Sequence, residues 1–77
     1  MLLAELKRGQ RAIIKEVLTS AFGNKLMEMG CHPGVEIKLL MPAPFGDPLA
    51  FDVGGYCLSM RKSEAQFVEV ELIDEQH

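Results

Sequence analysis

Cys31 and His32 stand side by side in "MEMGCHPG", residues 27–34, and both side chains bind transition metals. A thiolate and an imidazole together suit Zn²⁺ or Cu⁺ better than Fe²⁺. A stable site needs more ligands than two, usually at the short Cys-to-Cys or His-to-His spacings of zinc proteins. Those spacings are absent. Cys57 or a carboxylate could complete a set only through the fold, and the other histidine, His77, is the last residue. Cys31 and His32 are therefore the metal candidates. The expectation is no resident cofactor, with adventitious divalent metal at an exposed His32.

Other chemistry has less support. A nucleophilic site needs a base in hydrogen-bond reach of the Cys or Ser, and a third group to orient that base. With two histidines, one of them terminal, no such set is evident. The acidic residues follow outward strand positions or the tail, and no glycine-rich phosphate loop occurs. The chain is not expected to be an enzyme.

Net charge is −3, with a small basic cluster of Lys7, Arg8, Arg11 and Lys15 near the start and acidic residues crowding the end. That balance argues against nucleic acid and against adhesion to anionic membranes. No uncharged run exceeds eight residues, too short to span a bilayer. "MLLAELKRG" carries Glu5 and no long apolar region, unlike a signal peptide. With Cys31 and Cys57 the only cysteines, the expectation is a cytoplasmic protein with reduced thiols.

These residues must be positioned by short strands. "QRAIIKEV" (10–17) reads as a strand after the turn at Gly9, with Ala12 and Ile14 on one side and Ile13 and Val17 on the other. In "VEIKLLM" (35–41), Val35, Ile37, Leu39 and Met41 share a face. Leu49, Phe51 and Val53 alternate next. Gly54-Gly55 is a two-residue hairpin signal. Tyr56, Leu58 and Met60 line the following strand, with Cys57 facing away. Ser63 can cap one helical turn over "SEAQ", and "FVEVELI" places Val68, Val70 and Leu72 inward. Between them, "PAPFGDP" (42–48) forms an ordered loop or wide hairpin.

One helix is inserted. It can start at Ser20 as N-cap, with Phe22, Leu26 and Met29 sharing a face. Gly30 stands where a left-handed residue ends a helix, and Pro33 follows. Gly23 should weaken its first turn. Five strands in one 77-residue domain predict a mainly β fold closed into a small barrel, which buries one face and removes free edges. Residues 74–77 read as a frayed tail.

The ordered set "LMEMG", "PG", "APFGDP", "GGYCLSMRKSEA" and "VEV" resembles the FeoA family of bacterial ferrous iron uptake. Leu3, Leu6, Gly9, Ala12 and Ile14 fit that family's opening strand. The resemblance implies an SH3-like β-barrel of about five strands, with one inserted helix and a helical turn before the last strand. It also implies a role beside FeoB, the membrane Fe(II) transporter with a cytosolic G-protein domain. Cys31 and His32 replace residues that are commonly apolar in the family, and Lys25 stands near a common arginine.

The contact candidates for such a partner are Leu26, Met27 and Met29 on the helix, and Pro42, Pro44 and Phe45 in the loop. Exposed apolar patches mark partner sites, although the same residues could plug a barrel end. One Tyr and no Trp argue against an aromatic groove for proline-rich peptides. Three readings follow. The first is a cytosolic accessory protein that binds FeoB, through its cytosolic region, and modulates Fe(II) transport. The second is a small metal-binding or metal-sensing protein. The third is a self-associating scaffold, a homo-oligomer.

Overall fold

The strand alternation is realised most regularly in β3, Leu49–Val53, where Leu49, Phe51 and Val53 are buried and Ala50 and Asp52 are half-buried between them. The computed structural model describes residues 1–18, 21–42 and 47–73, with the backbone alone for Ala21, Phe22 and Pro42. The expected loop at 43–46, the cap at Ser20 and the tail at 74–77 lie outside the described residues. In chain order the elements are a 3-10 turn at Leu3–Glu5, β1 (Arg11–Val17), α1 (Ala21–Glu28), β2 (Glu36–Pro42), β3, β4 (Tyr56–Met60), α2 (Lys62–Ala65) and β5 (Val68–Leu72). The five strands form one antiparallel sheet in the order β4-β3-β2-β1-β5.

The expected closure does not occur, because β4 and β5 are the two ends of the sheet and do not pair with each other. The N-terminal segment closes the interior instead. The 3-10 turn packs against both β5 and α2, and Leu3 and Leu6 are buried in the common core with Ile14, Ile37, Phe51 and Val70. These leucines were expected on the opening strand. They lie before it, on a turn held by Glu5 N–H to the Leu2 carbonyl at 2.9 Å and Leu2 N–H to Glu5 Oε1 at 2.7 Å. Among the described residues no polar or charged side chain is buried, so the interior is held by apolar burial.

Two bulges shift the inward pattern. In β2 the pairing moves between Leu39 and Met41, so Leu40 is the extra residue. Met41, expected inward, is 53% exposed. A bulge breaks the two-residue period, so side chains beyond it change face. In β1 the shift falls between Ile14 and Glu16, which lets Val17 pack on the core beside Val68 rather than share the side of Ile13. Leu72, also expected inward, is 44% exposed because it ends the row beyond Ala12 at the sheet's edge.

The helical turn before β5 is capped two residues earlier than expected. Arg61 is its N-cap, and Ser63 lies inside α2. Glu64 supplies the cap, its Oε1 accepting the Arg61 N–H at 2.8 Å. Asp47, from the far side of the β2–β3 connection, accepts the Lys62 N–H at 2.8 Å. A carboxylate is favourable beside the exposed N–H groups of a helix start.

Leu3→Ala tests the N-terminal seal. Truncating a fully buried leucine costs about 2–5 kcal/mol, so urea unfolding should show a loss in that range. A loss below about 1 kcal/mol would mean that the segment is not part of the core.

Candidate partner surface

Three interactions fix α1 and its end. Gly23 is buried in the first turn, and a Cβ there would collide with the Leu18 backbone carbonyl. Glycine therefore permits a close approach of α1 to the end of β1, and its propensity cost is the consequence of that packing. At the other end, the Gly30 N–H bonds the Met27 carbonyl at 3.1 Å and the Cys31 N–H bonds the Leu26 carbonyl at 3.0 Å. These two bonds are the Schellman closure, with Gly30 at φ +103° as its left-handed residue.

That closure decides where Cys31 goes. In this motif the residue after the glycine meets the helix residue whose carbonyl it caps. Cys31 and Leu26 are accordingly both buried, at 0% and 1% exposure, in the same core. Burial pushes the Cys31 thiol above its ordinary pKa, because the charged thiolate would lose its hydration. His32, the next residue, is exposed. The structure therefore separates the two metal candidates, one in the core and one in solvent. Among the described residues no three His, Cys, Asp or Glu side chains gather as a metal-holding group. The motif that stops the helix also predicts an apolar residue after Gly30, and that signal was readable in "EMGC".

The third interaction was not readable. The Tyr56 hydroxyl, from the start of β4, donates to the Met29 carbonyl and lies over Gly30. It ties the β3–β4 hairpin to the end of α1. A tyrosine after a glycine pair carries no local mark of this use. Beyond it the chain turns through His32-Pro33-Gly34-Val35, closed by Val35 N–H to the His32 carbonyl at 3.1 Å, and is stitched to β1 by Gly34 N–H to the Ile14 carbonyl at 2.7 Å.

So pinned, α1 exposes Asn24, Lys25 and Glu28, with Met27 and Met29 half-buried beside them. Tyr56, 51% exposed, borders the helix end. Leu26 belongs to the core and is unavailable to a partner, which corrects the expectation for that residue. Pro44, Phe45 and the Pro42 side chain lie outside the described residues.

The opposite face of the sheet is polar. A shallow cleft of about 380 Å³ is lined by Arg11, Glu36, Lys38, Asp52, Gly54 and Gly55. Arg11 Nη1 bonds Glu36 Oε2 at 3.0 Å, and Asp52 Oδ1 accepts the Gly55 N–H at 3.0 Å. Two cations and two carboxylates balance there, and exposed pairs of this kind contribute little to stability.

The two thiols should differ in reactivity. In native protein a thiol reagent should modify the exposed Cys57 at the rate of a free thiol, and Cys31 only on the timescale of opening. Equal rates for the two would contradict the burial of Cys31.

The chain matches the family model of the FeoA domain over residues 1–72. It is 36% identical over 74 residues to the Fe(2+) transport protein A/Fe(2+) transporter FeoB fusion protein of Porphyromonas gingivalis; the match takes in 95% of this chain and 9% of that protein. The chain thus spans under a tenth of the length of the curated relative it matches. Its fold is similar to that of the FeoA-like protein of Clostridium acetobutylicum, with a TM-score of 0.92 and 36% identity over 100% of this chain and 91% of that one. It is also similar to FeoA of Stenotrophomonas maltophilia, a prokaryotic SH3 domain protein crystallised with zinc, with a TM-score of 0.82 and 32% identity over 92% of this chain and 89% of that one. The fold is mainly β and SH3-like, and the chain belongs to the FeoA domain family.

Proposed function

We propose that this protein is a cytosolic accessory protein of ferrous iron uptake, which binds a FeoB-type transporter through the outer face and end of α1. It modulates Fe(II) transport by contact and not by chemistry. The observation that carries this reading is the P. gingivalis relative, which joins the two functions in one polypeptide. Covalent linkage holds two modules at high effective concentration. Where the modules are not joined, a surface has to supply the association.

Several features support α1 as that surface. Met27 and Met29 are half-covered apolar side chains on a helix pinned at both ends. Methionine and tyrosine are enriched at interfaces, and methionine adapts to irregular contacts. A helix held rigid before binding loses little entropy when a partner arrives. No helix among the described residues is long and apolar enough to cross a membrane, which fits contact with a water-exposed part of the transporter.

Capture by the cytosolic region of a FeoB-type transporter tests the proposal. Met27→Asp should weaken capture tenfold or more, about 1.4 kcal/mol, while Lys38→Ala on the polar face should not. Unchanged capture by a folded Met27→Asp variant would remove α1 from the contact. Equal weakening by the two folded variants would contradict a contact specific to α1.

The zinc-complexed S. maltophilia relative supports a second, lesser reading, divalent metal held at His32. Calorimetry with Zn²⁺ should then show weak binding that His32→Ala removes and Cys31→Ala preserves. Tight binding that needs Cys31 would contradict the separation of the two side chains.

A further inference from the structure

The two edges of the sheet are treated differently. On β5 the middle of the outer edge is covered, with Val70 N–H bonded to the Met1 carbonyl at 2.8 Å and Leu2 bridged to Glu69. On β4 no described residue covers the outward backbone groups. The Gly54-Gly55 turn makes Val53 and Tyr56 a directly bonded pair. In agreement, the Gly54 N–H turns the other way, to the Glu36 carbonyl of β2 at 3.1 Å. Bonding alternates along an antiparallel strand. Tyr56, Leu58 and Met60 therefore point their N–H and C=O groups at β3, and Cys57 and Ser59 point theirs outward. Among the described residues those outward groups have no hydrogen-bond partner.

Natural sheets blunt such an edge with charge, proline or a bulge. β4 has none of these. "YCLSM" is uncharged and lacks proline, and it pairs with β3 without a register shift. Cys57 and Ser59 are exposed and Leu58 is only half-buried.

We propose that β4 is a self-association edge, pairing antiparallel with β4 of a second copy about a two-fold axis at Leu58. The register follows from the outward groups. With Leu58 opposite Leu58, each copy's Cys57 faces the other's Ser59. Both outward residues of both copies are then used, in two bonded pairs that exchange two bonds each. An axis at Cys57 would instead place Ser59 against the turn residue Gly55, and one at Ser59 would place Cys57 against Arg61, outside the strand. Charge favours this site as well. Two copies of net charge −3 repel, and β4 is a neutral stretch through which they can meet without opposing carboxylates. The result is a continuous ten-stranded sheet with a two-fold, isologous contact.

Sedimentation of the full chain across a wide concentration range should show a monomer–dimer equilibrium. Ser59→Pro, which removes an outward N–H without touching the bonds to β3, should weaken it at least tenfold. Oxidative cross-linking fixes the register independently. The two Cys57 residues are offset by two positions and lie too far apart to bridge. Wild type alone should therefore stay uncross-linked, and so should the double variant Cys57→Ser/Ser59→Cys alone. A mixture of the two should give disulfide-linked heterodimer. A chain that is monomeric at every concentration overturns the proposal, even if the transporter's cytosolic region then protects the Cys57 and Ser59 amides, which would assign the edge to that partner. Wild-type dimers cross-linked through Cys57, or a dimer indifferent to Ser59→Pro, overturn it too. Failure of this test leaves the α1 contact untouched, because Met27 lies on a different element.

Discussion

An apolar sheet face must be covered, and here the sheet that carries it has ends that never meet. β4 and β5 stay apart, so the strands cannot shield their own interior. The chain covers it with what lies between and before the strands: the 3-10 turn with Leu3 and Leu6, and α1 with Leu26. A 77-residue domain buries a modest share of its surface, about 60%. Each of these pieces is then a large fraction of the total stabilisation. Their exact fit explains local choices that propensity alone would reject, such as Gly23 inside a helix beside the Leu18 carbonyl.

The same constraint separates structure from function along the surface. With an interior free of polar side chains among the described residues, the recognisable chemistry apart from the buried Cys31 thiol is at the periphery. The balanced charges of Arg11, Glu36, Lys38 and Asp52 occupy one face of the sheet. The methionines of α1 border the other side, and the open backbone edge of β4 lies beside Tyr56. Such a molecule is suited to contact. SH3-like architecture by itself does not say with what.

Much of this was legible in the sequence for one reason: alternation and turn chemistry are local. Leu49, Phe51 and Val53, the Gly54-Gly55 turn, and Gly30 at the end of α1 all act within a few residues of themselves. What was not legible depends on distant partners. Met41 turns outward because of a bulge set by pairing with β3. Leu3 and Leu6 are core because the segment that carries them packs on β5 and α2. Tyr56 caps a helix 27 residues away. Cys31 lies between these cases. Metal chemistry drew attention to its side chain, while the helix-ending motif around it called for an apolar residue, and the packing followed the motif.

The central claim is that the outer face and end of α1 form the surface that meets the transporter. Amide chemical-shift mapping tests it most directly, with the isotope-labelled protein titrated by the cytosolic region of a FeoB-type partner. The account predicts that shifts and line broadening concentrate on Lys25 to His32 and on Tyr56, and leave Arg11, Lys38 and Asp52 unchanged. Perturbation centred on the polar cleft, with α1 silent, would contradict it.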